Sequence, residues 1–103
     1  MFMFCLIAKA DKIYNVIVTI RVTYEYMDGA STVGEQSGSN ETQVIEVCAS
    51  SPHEAREKAI YQCQSMCQSS QDMGTATYGG KKCRKYKKRE VYNAEPKATT
   101  IDC

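Results

Sequence analysis

The 103-residue chain has no tryptophan and a single histidine, His53. It has no Cys-x-x-Cys pair and no glycine-rich phosphate loop. Each absence removes a class of chemistry. His53 has no recognisable nucleophile motif beside it, and the carboxylates are scattered rather than paired, so hydrolytic and general acid–base catalysis lose their usual residues. Zinc needs four ligands, and only Cys63 and Cys67, one helical turn apart, offer a start. Helical cysteines on an apolar stripe serve as small core residues, which is the reading adopted for this pair. The expectation is a protein that is not an enzyme and carries no metal or cofactor. Long hydrophobic runs are missing too. The longest is the opening Met1-Phe-Met-Phe-Cys-Leu-Ile-Ala8, far too short to cross a bilayer. Ala8-Lys9-Ala10 has the form of a signal cleavage site, but there is no basic region before it and the apolar run is short for an export signal. The segment reads as an N-terminal strand, or as residues upstream of a start at Met3.

What the chain does have is positive charge in one place. Seven of thirteen Lys/Arg fall within Lys81-Lys82-Cys83-Arg84-Lys85-Tyr86-Lys87-Lys88-Arg89. Residues 1–80 sum to −4 and residues 81–103 to +5, so the net of +1 conceals a dipolar molecule. A focused positive strip attracts polyanions and acidic protein surfaces and speeds their association. On an extended strand, Lys82, Arg84, Tyr86, Lys88, Glu90 and Tyr92 share one face and Lys81, Cys83, Lys85, Lys87, Arg89 and Val91 the other. Tyr86 and Tyr92 suit the core side. Charge on both faces near Lys81 suggests an edge strand, or a hairpin arm standing clear of the body. Two or three lysines would protect an edge from aggregation. Seven exceed that need and mark a binding surface made of Lys81, Lys82, Arg84, Lys85, Tyr86, Lys87, Lys88 and Arg89. Reversing Lys85, Lys87 and Lys88 should then leave the fold intact. Cys83, set among cations, has the surroundings of a reactive surface thiol.

At 103 residues, with 43% hydrophobic and 24% charged residues, the chain suits one small folded domain over residues 1–103. Tyr14, Val16, Val18, Ile20, Val22, Tyr24 and Tyr26 alternate with polar residues, the pattern of a half-buried strand. Residues 28–41, rich in Gly and Ser, read as a long mobile loop. A strand resumes at Thr42, with Ile45, Val47 and Ala49 on its inner face. Ser51-Pro52-His53-Glu54 is a helix start with an N-cap, a first-turn proline and a capping-box glutamate. The helix carries Ala55, Ala59, Ile60, Cys63, Met66 and Cys67 on one stripe, with Gln68 away from it. Gly79-Gly80 marks a tight hairpin. Residues 94–103 read as a tail or a short edge strand. The expected fold is α+β: an antiparallel sheet of about four strands with one helix on one face, in the order β-β-α-β-β. The six cysteines are even in number, but such a fold does not need staples, so reduced thiols and a cytoplasmic location are expected.

The segment from Val44 to Ala59, a strand ending in Ala-Ser followed by a helix beginning Pro-His-Glu-Ala, resembles small orphan proteins of phages and mobile elements. Some anti-CRISPR inhibitors share the strand–strand–helix–strand plan with basic residues on the sheet. The resemblance implies a non-enzymatic inhibitor that docks on a host nucleic-acid-handling protein complex. The residues themselves equally suit a small RNA- or DNA-binding domain, with Lys81–Arg89 tracking phosphates and Tyr86 stacking on a base. Neither reading calls for a membrane or a small-molecule substrate.

Overall fold

The computed structural model describes residues 11–67 and 69–103. The expected N-terminal strand, Cys5 and Gln68 lie outside them. Five strands and one helix follow in the order β1 (Lys12–Asp28), β2 (Ser31–Ser37), β3 (Glu41–Ala49), α1 (Pro52–Met66), β4 (Gln71–Tyr78) and β5 (Lys81–Asp102). The α+β class and the single helix are as expected, and every strand pair is antiparallel. The fifth strand comes from the segment read as a mobile loop. Asp28 pairs with Ser31 around Gly29, whose φ of 63° supplies the turn, and Ser31–Ser37 then runs back along β1. Polar side chains do not prevent a strand whose two faces both meet solvent.

β1 organises the sheet. On one side it pairs with β3 through Lys12–Ile20 and with β2 through Thr23–Asp28, the two lying end to end. On the other side it pairs with β5 along nearly its whole length, from Lys12↔Asp102 to Met27↔Arg84. β4 pairs with β5 over Lys81–Lys87. At about 3.3 Å per residue the 22 residues of β5 match the 73 Å long axis of the molecule. The residues read as a tail or an edge strand are therefore the second half of β5, where β1 is its only sheet neighbour among the described residues. Register shifts opposite Lys12/Tyr14 and Thr19/Ile20, together with Pro96, roughen that open side against further strand pairing.

The helix starts as its sequence dictates. The Glu54 N–H donates to Ser51 Oγ at 3.1 Å. The Glu54 carboxylate reaches back to the Ser50 N–H at 2.6 Å, one residue earlier than a capping box usually spans. That contact holds the Glu54 carboxyl below its ordinary range. Ala55, Ala59 and Cys63 are fully buried against Val16, Val18, Ile20, Val47 and Ala49, and small side chains let the helix sit close on β1, β3 and β5. Ile60 and Cys67 flank this core, but Met66 is 45% exposed, because the helix ends where the covered part of the sheet ends.

A helix of 15 residues is about 22 Å long, less than a third of the sheet. The molecule therefore divides into a body, where α1 covers one face of β3-β1-β5, and a wing of β2-β1-β5-β4 beyond Ile20 with no helix over it. The thiols divide as well. Cys48 and Cys103 form a disulfide joining β3 to the end of β5, which corrects the expectation of reduced cysteines throughout. β3 and β5 both flank β1, so the final residues return beside Cys48, a proximity no spacing in the sequence reveals. Cys63, Cys67 and Cys83 are free. No helix among the described residues is long and apolar enough to cross a membrane.

Candidate binding surface

The basic run forms the first nine residues of β5, and its position corrects the expectation of an edge strand. From Lys81 to Lys87 the run lies between β1 and β4, inside the wing. It does stand clear of the helix. Its two faces are the reverse of those expected. Tyr24 pairs with Lys87 and Val22 with Arg89, so Cys83, Lys85, Lys87, Arg89 and Val91 share the helix side of the sheet. Tyr86 pairs with Glu25 on the opposite face, and Tyr92 is 58% exposed beside the register shift. The core favoured the face carrying Cys83 and Val91 over the one carrying two tyrosines with polar tips.

The helix-side residues of the wing cover one another. Tyr26 and Tyr78 stack with ring centroids 4.7 Å apart, and the Tyr26 hydroxyl donates to Gln36 Oε1 at 2.8 Å. Tyr78 lies directly over Gly34 of β2, where a Cβ would fall 2.2 Å from its ring, so glycine is what admits it. The Lys85 ammonium stands 4.3 Å from the Tyr24 ring centroid. Cys83 is buried beneath this layer, which removes the reactive surface thiol expected from its cationic neighbours. The Lys87 side chain is only 18% exposed and meets Glu41 Oε2 at 2.5 Å, with Arg89 at 3.8 Å from the same carboxylate. Hydrogen bonding and charge from Lys87, then charge from Arg89, hold the Glu41 carboxyl below its ordinary range against partial desolvation. Lys85 and Lys87 are thus structural, and reversing them would not leave the fold untouched as the sequence suggested.

The opposite face carries the exposed cations Lys82, Arg84 and Lys88. Arg84 meets Asp72 at 2.7 Å, and Lys88 approaches Glu25 at 3.8 Å. Asp72 is held acidic by Arg84 and by the Gly74 N–H, and Arg84 is correspondingly raised. Arg21 of β1 lies over the Tyr92 ring at 4.1 Å. At the tip, Lys81 reaches Asp28 at 2.6 Å, and that contact raises its pKa. Five of the seven cations therefore meet a carboxylate of this same chain: Lys81, Arg84, Lys87, Lys88 and Arg89. A sixth, Lys85, is occupied by tyrosine rings. Among the described residues, Lys82 alone has neither kind of contact. Sequence reasoning missed these partners because Glu25, Asp28, Glu41 and Asp72 sit on other strands, as far away as the 63 positions between Glu25 and Lys88.

Where α1 stops, an open recess of about 380 Å³ lies between the helix end and the wing, lined by Glu41, Arg89, Met66 and Cys67 among others. Its carboxylate is already committed to Lys87 and Arg89, and His53 sits at the opposite end of α1. No cluster of three or more His, Cys, Asp or Glu able to hold a metal ion occurs among the described residues. Comparisons with protein families, with curated proteins and with solved structures found no match.

Proposed function

We propose that this chain is a non-enzymatic binding protein that docks on a protein partner through the exposed face of its wing. The observation that carries this reading is that two of the three exposed cations on that face, Arg84 and Lys88, already meet the chain's own Asp72 and Glu25. A phosphate-tracking surface needs cations free to displace counterions. A face on which both signs alternate, fixed on a rigid sheet, suits a protein surface of complementary pattern. Across residues 21–41 and 71–92, eight Lys/Arg stand against six Asp/Glu, so the wing as a whole is only weakly positive. On the resemblance described above, the partner is a nucleic-acid-handling complex that the chain inhibits. Action there places the chain in the cytoplasm, where the Cys48–Cys103 bond would meet reducing thiols. The nucleic-acid-binding alternative depends on Lys82, Lys88 and Arg84, with Tyr86 between them.

The test begins with the purified chain and labelled single- and double-stranded nucleic acid at physiological salt. No shift is expected. A shift whose salt slope drops by about 0.7–0.9 for each lysine removed would establish the alternative. The Lys82→Glu/Lys88→Glu variant, which spares the buried pairs, should keep its melting temperature and associate more slowly with the partner complex captured from the host. Full affinity in that folded variant would remove the wing from the mechanism.

A further inference from the structure

The last residues of β5 are held to the body by backbone pairing with β1, a few polar contacts and one covalent bond. No residue of β5 after Ala94 is buried, so none of that stretch is anchored in the core. Pro96, opposite Val16, brings no N–H to the ladder. Tyr14 pairs with Ala98 and Lys12 with Asp102, so Thr99, Thr100 and Ile101 stand against Ile13 alone. The Thr99 hydroxyl bridges that bulge. It donates to the Ile13 carbonyl at 2.7 Å and accepts from the Ile101 N–H at 3.1 Å. Beyond it, the Lys12–Asp102 ion pair has both side chains well exposed, where such a pair contributes little. The Cys103 N–H donates to the Asp11 carbonyl at 3.2 Å. The strongest tie is the Cys48–Cys103 bond, exposed at Cys103 and half-buried at Cys48.

We propose that the Cys48–Cys103 bond is a redox latch on this end of the sheet. Oxidation fastens Lys97–Cys103 along β1, and reduction frees that segment while the rest of the body stays folded. The core cluster takes Ala94 from β5 and nothing later, so it survives the release. Exposed disulfides are the ones that exchange with free thiols. The Asp11 carboxylate stands 3.8 Å from the Cys48 sulfur and repels an approaching thiolate, which leaves the Cys103 sulfur as the point of attack. The reductant is a low-molecular-weight thiol such as glutathione. Its thiolate bonds to the Cys103 sulfur, the S–S bond breaks, and Cys48 leaves as a thiolate that takes up a proton. A second small thiolate attacks the mixed disulfide and releases Cys103, which is protonated in turn. The two small thiols lose two electrons and become one disulfide, and the two cysteines gain them. The freed segment then bares the backbone of β1 from Lys12 to Asn15 on the side where Lys97, Ala98 and Asp102 had paired. The latch belongs to the body and does not rest on the partner proposed for the wing.

Amide NMR spectra of the oxidised chain, before and after addition of millimolar reduced glutathione, test it. On reduction the signals of Lys97–Cys103 should move to the shifts of an unfolded chain. Those of Val16, Val18 and Ala59 should keep native shifts. Cys103→Ser should show the open pattern with no reductant present and should not respond to glutathione. It leaves Cys63, Cys67 and Cys83 as they are, so it separates the latch from reactions at the free thiols. Cys48→Ser serves the same purpose should Cys103→Ser fail to fold. A bond that stays closed in reduced glutathione would overturn the proposal. So would a reduced chain whose native shifts persist from Lys97 to Cys103, or one whose native shifts are lost throughout the body.

Discussion

Glu41 shows how one side chain ties distant parts of the chain together. It begins β3, yet its carboxylate holds Lys87 and Arg89 on β5 at the point where the body gives way to the wing. Its pKa is depressed in the folded state, so it contributes stability that is present above its unfolded pKa and lost as pH falls through the folded value. Asp72, depressed by Arg84, acts in the same direction. Melting temperature should therefore fall with acidification below about pH 4.5, where unfolded carboxyls begin to take up protons and these do not. Glu41→Gln should flatten that acid limb while changing the melting temperature little once the pH lies below the folded pKa of Glu41. A wild-type profile with no acid limb, or an unchanged limb in the variant, would show that the Lys87 contact contributes nothing in solution.

Among the elements, helix and hairpin were legible before the fold was known and the wing was not. Ser51, Pro52 and Glu54 announce a helix start by local chemistry alone, and Gly79-Gly80 announces a turn through positive φ. β2 escaped because Thr32, Gly34 and Gln36 alternate no hydrophobicity. What holds it is pairing with β1 and the seat that Gly34 gives Tyr78. The basic run was found as a cluster but placed on an edge, since nothing near it discloses that Asp72 and Glu25 lie on either side. The helix stripe offers the clearest test at this scale. Ala59 is fully buried and close to the sheet, so Ala59→Glu would place an unpaired charge in the core and should cost about 3 kcal/mol or more. Chemical denaturation that gives a wild-type midpoint would show that α1 does not pack on β1 as described.

At the scale of the whole molecule, stability is unevenly distributed. The body has two layers and a buried cluster, and the wing has one layer held by tyrosines and ion pairs. The Cys48–Cys103 bond closes a loop spanning 55 positions of sequence at the body's far end. A cross-link of that span stabilises by roughly 2–4 kcal/mol, mainly by restricting the unfolded chain. Cys48→Ser/Cys103→Ser should lower the unfolding free energy by about that amount without dithiothreitol, and the wild type should drop to the variant's value in its presence. Equal stabilities under both conditions would mean that the thiols do not pair in solution.

The pairing of β1 with β5 has a consequence for how the chain comes off the ribosome. β1 is synthesised before β5, and Val18 meets Ala94 and Lys12 meets Asp102 only after β5 has emerged. Until then β1 has β2 and β3 along one side and a bare row of amide and carbonyl groups along the other. Pairing along that side waits on β5, whose Ala94 lies 76 positions after Val18 and whose Asp102 lies 90 after Lys12. Folding of this kind is dominated by non-local contacts and belongs to the slow, milliseconds-to-seconds class. For that interval β1 offers an open strand edge to other chains, a state vulnerable to aggregation. Yield in a cell should therefore depend on how fast β5 arrives to close that edge.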